Sequence, residues 1–392
     1  MYKIQTLDRI SPRGLDRFPG DTYEVTSKTT RPDALLVRSF KMNDMELPPS
    51  LRIIARAGTG VNNIPIERCT RRGIVVCNTP GANANSVKEL VIAGLFLASR
   101  RIIDGIHWTH TLTDTEGNVA KLVEREKSKF IGPEIRGKIL GVIGLGAIGV
   151  MVANDALSLG MRVVGYDPFI SIESAWGLSR EAVRAKSLED LLQASDYLTL
   201  HVPLNETTAG MINREKFKTM KRGVRLLNFS RGDMVKKRDL RNALNRGIVA
   251  MYITDFPDED ILEMPNTVTI PHLGASTPEA EENCAVMAAD QTRAFLEKGT
   301  IANSVNFPDC EMPFSGNRRI LVSNENIPGV VGHITNIMAD EGINIADMLN
   351  RSKGEVAYNI IDIDGDISVE SIERIASIEG VSMVRVLTCP FE

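Results

Sequence analysis

Residues 139–149 read ILGVIGLGAIG, and the fold follows from this stretch. A short apolar run of strand length leads into Gly144, Gly146 and Gly149, spaced GxGxxG, and residues 148–159 continue as a helix. Gly144 permits the tight turn, Gly146 lets backbone approach a pyrophosphate, and Gly149 lets helix and strand pack closely. The start of the helix offers unpaired N–H groups and the positive end of its dipole to phosphate. Residues 162–166 read as the next strand, and Asp167 ends it roughly 20 residues beyond the motif, where a carboxylate accepts from ribose hydroxyls. A 2′-phosphate would meet like charge there, and the following DPFISIES holds no Arg or Lys. The stretch therefore specifies NAD rather than NADP.

Outward from this motif, strand-like and helix-like stretches alternate, which predicts an α/β chain of doubly wound parallel sheets. Upstream, 34–37, 51–55 and 74–77 read as strands, and 85–99 as a helix with Val87, Leu90, Val91 and Leu95 on its apolar face. Downstream, 188–194 reads as a helix, then 197–200, 226–229, 251–254 and 268–270 as strands, and 278–298 as a closing helix. Residues 303–319, with Pro308, Pro313 and Gly316, lack periodicity and read as a linker. The remaining stretches at 319–322, 330–341, 343–349, 356–362, 368–377 and 383–387 give the order βαββαβ, a ferredoxin-like module that reads as a regulatory appendage.

Composition sets the bounds. A chain of 392 residues suggests two or three domains. With 46 basic and 50 acidic residues the net charge is −4, which leaves no basic surplus for binding nucleic acid through bulk charge. The 43% hydrophobic and 24% charged content is that of ordinary folded domains and excludes disordered and fibrous classes. Cys69, Cys77, Cys284, Cys310 and Cys389 show no metal-ligand spacing and read as free thiols, with no metal site. The start MYKIQTLDRI has no apolar signal core, and the apolar run 139–153 is too short to span a membrane. A cytoplasmic protein without membrane association is expected.

Three later segments carry chemistry. Arg231 lies in NFSRGD just past a strand end, where open α/β sheets bind ligands and where a guanidinium can take a carboxylate in two hydrogen bonds. His272, in PHLGAST between a strand and a helix, is placed to take a hydroxyl proton while hydride leaves the same carbon. The acidic stretch DFPDED, 255–260, could supply a carboxylate to orient an imidazole. His107 and His110 read as helix-surface residues, and His201 as a cofactor neighbour at most.

GLGAIG, NFSRGD and PHLGAST, in this order, resemble the D-isomer-specific 2-hydroxyacid dehydrogenase family. The segments VRS at 37–39, RAGTGVNNI at 56–64 and NTPGANANS at 78–86 resemble its phosphoglycerate-oxidising branch. The resemblance implies oxidation of D-3-phosphoglycerate by hydride transfer to NAD, the first step of L-serine synthesis. The alternatives are a reductase for hydroxypyruvate, glyoxylate or another D-2-hydroxy acid, or a non-catalytic NAD-sensing relative. It further implies roles by position. Arg231 binds the substrate carboxylate and His272 is the acid/base. Asp255 stands near the nicotinamide carboxamide, Ala147 and Ile148 contact the pyrophosphate, and Val202, Phe229, Ser230 and Gly274 join them around the cofactor. Arg56, Ala57, Gly58, Thr59 and Gly60 form the substrate-facing loop, with Arg38 and Lys41 for the phosphate.

The family's histidine partner is a Glu in DVFxxEP. Here the sequence is DFPDEDIL, which leaves Glu259 or Asp260, with Glu259 preferred for its longer side chain. The implied domains are 1–98 with 285–305 for substrate, 99–284 for NAD, a linker at 306–318, and 319–392. The first two would face each other across a cleft, and helices after residue 99 would form the interface of a homodimer or homotetramer. Residues 324–332 and 341–346 resemble an ACT domain, implying an amino-acid effector such as L-serine held by Asn326 and Asn344, with Asn324 where some relatives have a histidine.

Overall fold

The computed structural model describes residues 1–113 and 117–388. Cys389 lies outside them. The chain divides into two compact units, Met1–Asn83 with Glu281–Glu392, and Ala84–Ala280.

In the first unit, strands β1 (Tyr2–Thr6), β2 (Tyr23–Thr26), β3 (Ala34–Val37), β4 (Ile53–Arg56) and β5 (Val75–Cys77) form a parallel sheet in the order β2-β1-β3-β4-β5. Both faces are buried, as parallel sheets require, and alternation sorts the side chains. Leu36, Ile53, Ala55 and Val75 enter a core with the helix Pro278–Lys298. Leu35, Val37, Ile54 and Val76 enter a second core with Met42, Leu51 and Cys69.

The second unit carries β6 (Ile139–Ile143), β7 (Arg162–Tyr166), β8 (Val183–Arg184), β9 (Tyr197–Leu200), β10 (Val224–Asn228), β11 (Val249–Thr254) and β12 (Thr267–Thr269). They form a parallel sheet in the order β12-β11-β10-β9-β6-β7-β8. Strand order reverses at β6, so the glycine motif sits at the switch point where doubly wound sheets bind ligands. The helix Ala84–Ser99 belongs here and not with residues 1–83. Its Val87, Val91 and Leu95 pack with Leu227, Phe229 and Ile253, and a Cβ on Gly94 would stand 3.0 Å from Leu227. The units therefore divide at Asn83 and Ala280, where the sequence reading placed boundaries at 98 and 284.

The last four strands, β13 (Arg318–Glu325), β14 (Asn344–Lys353), β15 (Val356–Asp364) and β16 (Val381–Thr388), form an antiparallel sheet in the order β14-β15-β13-β16. With the helices Val330–Asp340 and Val369–Ala376 this is the expected βαββαβ module. It is not a loose appendage. Ile320, Val322, Ile361 and Ile363 pack under its own helices, while Leu321, Tyr358, Ile360 and Leu387 share a core with Phe295 and Leu296 of the first unit. A sheet with helices on one side leaves the other apolar face to be buried elsewhere.

Nor is the stretch before it a free linker. It lacks helix and strand, but Phe307 and Cys310 are buried, and Asn306 accepts from the Val76 N–H and donates to Ile74 O and Thr70 Oγ1. Arg319, fully buried, binds Asp362 with two of its three nitrogens at 2.7 and 2.8 Å and donates to Lys298 O and Pro313 O.

Candidate active site

The glycine loop behaves as its spacing predicts. Gly144 has φ +91°, and a Cβ there would stand 2.6 Å from His201 O. A Cβ on Gly149 would stand 2.0 Å from Gly144 O, so only glycine allows the helix Ala147–Ser158 to start against the strand. Gly146 differs from both: nothing lies within 4 Å of a Cβ built on it, and no side chain caps the helix it begins. That open cradle before free helical N–H groups at Ala147 and Ile148 fits a pyrophosphate. Asp167 closes the loop from the next strand, with Oδ2 accepting from Leu145 N and Oδ1 from Phe169 N, each at 2.8 Å.

Replacing Gly146 with Val should therefore leave the fold intact. It should weaken NAD binding at least about tenfold, roughly 1.4 kcal/mol, by filling the cradle. Calorimetric titration with NAD beside a thermal melt checks both halves.

The strand ends of the same unit gather the chemical groups. Past β10, Phe229 is buried, Ser230 Oγ donates to Leu200 O at 2.5 Å, and Arg231 is exposed with one nitrogen on Ser230 O. The loop is braced by Asn228, fully buried, whose side chain donates to Arg231 O and accepts from Ser230 N. Thr254 Oγ1 in turn donates to Asn228 O.

Past β11 and β12, Asp255 and His272 are tied through backbone: His272 N donates to Asp255 O at 3.0 Å. His272 has φ +41°, uncommon for a residue with a side chain, and its ring lies 4.7 Å from that of Phe256. Gly274 N donates to Asp255 Oδ2, and Gly274 O accepts from Ser86 Oγ. Asp255, Phe256, Asp258, His272, Gly232 and Asp233 line an open cavity of about 570 Å³.

Asp255 is 1% exposed, and its Oδ1 has no hydrogen-bond partner among the described residues. A buried orphan acceptor of this kind fits an amide N–H such as that of a nicotinamide carboxamide. Burial pushes the Asp255 carboxyl above its ordinary value, against the Gly274 N–H and the positive fields of His272 and Arg231. Raised in the fold, the group binds more protons folded than unfolded just above its ordinary value near 3.9. Its charged form thus costs stability at neutral pH, a cost that disappears as pH falls toward 4. The variant Asp255→Asn should melt higher than the parent at pH 7, with the difference shrinking toward pH 4. Melting curves across that range test the sign.

His201 is a different histidine. Burial lowers it to about 3, so it stays neutral, with Nε2 on Thr199 Oγ1 at 2.9 Å. Val202, beside it, crowds the Gly144 position.

Two sequence expectations change. Glu259 and Asp260 open the one-turn helix Glu259–Leu262 and are exposed, and neither lines the cavity holding His272. The cause is local: Asp258 caps the helix on Ile261 N and pairs with Lys237 at 2.8 Å, which turns the next two residues outward. Asp260 lies toward Lys237 and Arg241. Asp255 lines that cavity with His272, and its carboxyl lies within the field of the imidazole. The second change concerns Asn324, 3% exposed. Its amide donates to Glu325 O and accepts from Asn359 Nδ2, so it is held inside the sheet. Asn326 and Asn344 are exposed, on Gly354 O and Asp364 Oδ2.

In the first unit, Arg38 and the loop 56–60 lie together at the ends of β3 and β4. Backbone N–H groups of Arg38, Ser39 and Phe40 all donate to Asp8 Oδ2, and the Arg38 guanidinium pairs with Glu281 at 2.8 Å. Arg56 Nε donates to Arg38 O, Ala57 is buried, and Gly58, at φ +150°, leaves room for the Arg56 guanidinium, 2.4 Å from where its Cβ would be. Thr59 O accepts from Asn78. Gly60 and Lys41 complete this region, Lys41 exposed. Among the described residues no cluster could hold a metal ion, and no helix is long and apolar enough to cross a membrane.

Residues 93–274 match the family model for the D-isomer specific 2-hydroxyacid dehydrogenase NAD binding domain. The chain is 34% identical to a D-3-phosphoglycerate dehydrogenase of Dictyostelium discoideum over 98% of this chain and 97% of that one. It is 36% identical to that of Archaeoglobus fulgidus over 79% of this chain, where it spans 60% of the relative's length. The NAD+-bound 3-phosphoglycerate dehydrogenase of Entamoeba histolytica superposes with a TM-score of 0.60 at 26% identity, covering 78% of this chain and 98% of that one. The chain belongs to the D-isomer-specific 2-hydroxyacid dehydrogenases, a family of NAD-binding oxidoreductases, and its curated relatives are D-3-phosphoglycerate dehydrogenases.

Proposed function

We propose that this chain oxidises D-3-phosphoglycerate at C2 to 3-phosphohydroxypyruvate, reducing NAD to NADH and releasing one proton. The observation that carries the reading is the grouping of Asp255 with His272, under the field of Arg231, at the strand ends of a sheet whose glycine loop fits a dinucleotide. NAD supplies the hydride acceptor. Arg231 holds the substrate carboxylate in a two-point contact and draws charge toward the C2 oxygen as it becomes a carbonyl. His272 takes the C2 hydroxyl proton as hydride leaves C2. Asp255 favours the imidazolium that results and fixes the loop through Gly274 N. Arg38 and Lys41 take the phosphate, Arg38 exchanging its pairing with Glu281 for the dianion.

Initial rates of NADH formation should favour D-3-phosphoglycerate over D-glycerate by at least about 100-fold in kcat/KM, the worth of two charge-assisted contacts. Equal use of the two would remove the phosphate from the reading and favour a general D-2-hydroxyacid dehydrogenase.

Two further parts rest on the same resemblance. The C-terminal module acts as an ACT domain whose Asn326 and Asn344 bind L-serine, and millimolar L-serine should slow the enzyme. The helices Ile102–His110 and Val119–Glu126 have no buried residue yet carry Ile102, Ile106 and Val119 at 41–46% exposed, which supports a homodimer through this face. Sedimentation of the Ile106→Glu variant as a monomer would support that interface.

A further inference from the structure

The first unit holds a second cavity, about 510 Å³, beside the helix Pro278–Lys298. None of the residues given a role above lines it. Gln291 stands in its wall, 8% exposed, and both ends of its amide, Oε1 and Nε2, are buried without a hydrogen-bond partner among the described residues. Burying an amide without partners is costly, and a chain tolerates it where a ligand or ordered solvent completes the bonding. The surroundings are arranged for such a partner. Asn283 and Met287 lie on the same helical face at intervals of four residues, with Asp290 beside them. Across the cavity Asn303 is held at φ +55°, its carbonyl accepting from Asn78 N.

The lining selects a chemistry. It contains no Lys or Arg, and its carboxylate, Asp290, is already balanced by Arg17 at 2.7 Å. A phosphate dianion would find no cation, so the cavity is not a second place for the substrate. Its lining holds three amide residues, Asn283, Gln291 and Asn303, with the apolar Met287. The volume is within the usual range for small-molecule sites and far above the roughly 30 Å³ of one water.

We propose that this cavity binds a small uncharged or zwitterionic molecule with a hydrogen-bond donor adjacent to an acceptor, the chemistry shared by primary carboxamides and amino acids. Gln291 is its principal contact: Nε2 donates to the ligand's acceptor and Oε1 accepts from its donor.

The test uses the full chain and reads binding, not turnover, so its outcome is independent of the dehydrogenase reading. Calorimetry and thermal melts are run with L-asparagine, propionamide and inorganic phosphate, each at about 10 mM. At least one of the first two should raise Tm by a degree or more, and phosphate should give no binding that depends on Gln291. A response to propionamide assigns the carboxamide as sufficient, and a response to L-asparagine alone assigns the zwitterion. The variant Gln291→Met keeps the length and removes both orphan atoms. Its ligand-free Tm should rise, and its affinity for the responding probe should fall at least about tenfold. Asn303→Gly, which suits the left-handed backbone at that position, should fold normally and also bind more weakly. Silence toward both organic probes overturns the proposal, as does unchanged binding in Gln291→Met, which would place the ligand elsewhere. A lower ligand-free Tm in Gln291→Met would do the same, since it would mean that the amide is already satisfied.

Discussion

Replacing His272 with Asn lowers kcat by about 10²–10⁴-fold and leaves NAD affinity within about twofold. The expectation follows from position. His272 is held by its backbone to Asp255 O at a φ of +41°, against the Phe256 ring, in the cavity that Asp255 also lines. The glycine loop and Asp167, which carry the dinucleotide features, are other segments of the unit, so removing the imidazole takes away a proton acceptor and little binding surface. The neighbouring carboxylates separate two accounts of the site. If the histidine's partner were Glu259, Glu259→Gln should cost nearly as much as losing a dyad member. With Glu259 exposed on its one-turn helix, the expected loss is under about threefold. Asp255→Asn, which keeps the shape and removes the charge near the imidazole, should lower kcat more than tenfold. Stopped-flow and steady-state rates for the three variants decide this. A His272→Asn enzyme retaining more than a tenth of the parent kcat removes the histidine from the chemistry.

The largest effect on stability is expected at Arg319. Truncation to Ala should destabilise the first unit by about 3–5 kcal/mol, because Asp362 would remain fully buried with its charge unpaired. The guanidinium also satisfies the carbonyls of Lys298, at the end of the long helix, and Pro313, and it stacks 3.8 Å over the Phe314 ring. One side chain thus fastens the C-terminal sheet, the stretch before it and the helix Pro278–Lys298. Removing both charges should cost much less, so Arg319→Met combined with Asp362→Leu should recover most of the loss. Denaturant unfolding of the single and double variants measures the difference. If the single variant lost less than about 1 kcal/mol, the pair would be a bystander and the C-terminal module would be held by its apolar face alone.

The parts of the fold that can be read from sequence are those where burial is continuous. Residues 139–143 and 197–200 read as strands and are the strands Ile139–Ile143 and Tyr197–Leu200, nearly all buried as a sheet covered on both faces demands; residues 162–166, with the burial alternating along RVVGY, are the strand Arg162–Tyr166. The strand Tyr2–Thr6 gives no such signal, because only Ile4 of YKIQT is buried and pairing with its neighbours comes from the sheet. The stretch after residue 303 has no period to read. Its order comes from single tertiary contacts, Asn306 to the backbone around Val76 and Phe307 in the core.

Arg231, His272 and Asp255 stand out in the sequence because they follow strand ends in chemically distinctive motifs, and the structure places them at the strand ends of the second unit. Asn228, Thr254 and Phe256 do not, since they act by bracing other residues. The visible sign for Asn228 is a polar side chain ending the run VRLLN. Glu259 is preferred in the sequence for its longer side chain, but the cap that Asp258 makes on Ile261 N starts a helix there and leaves Glu259 exposed.

Hydride is expected to pass directly from C2 of the substrate to NAD while His272 removes the hydroxyl proton. Turnover of D-3-phosphoglycerate deuterated at C2, followed by mass analysis of the NADH, tests it most directly. The parent enzyme should give NADH heavier by one deuterium, with none of the label in solvent, and His272→Asn a rate lowered by about 10²–10⁴-fold. Unlabelled NADH, or no NADH from an enzyme that still binds NAD, would contradict it.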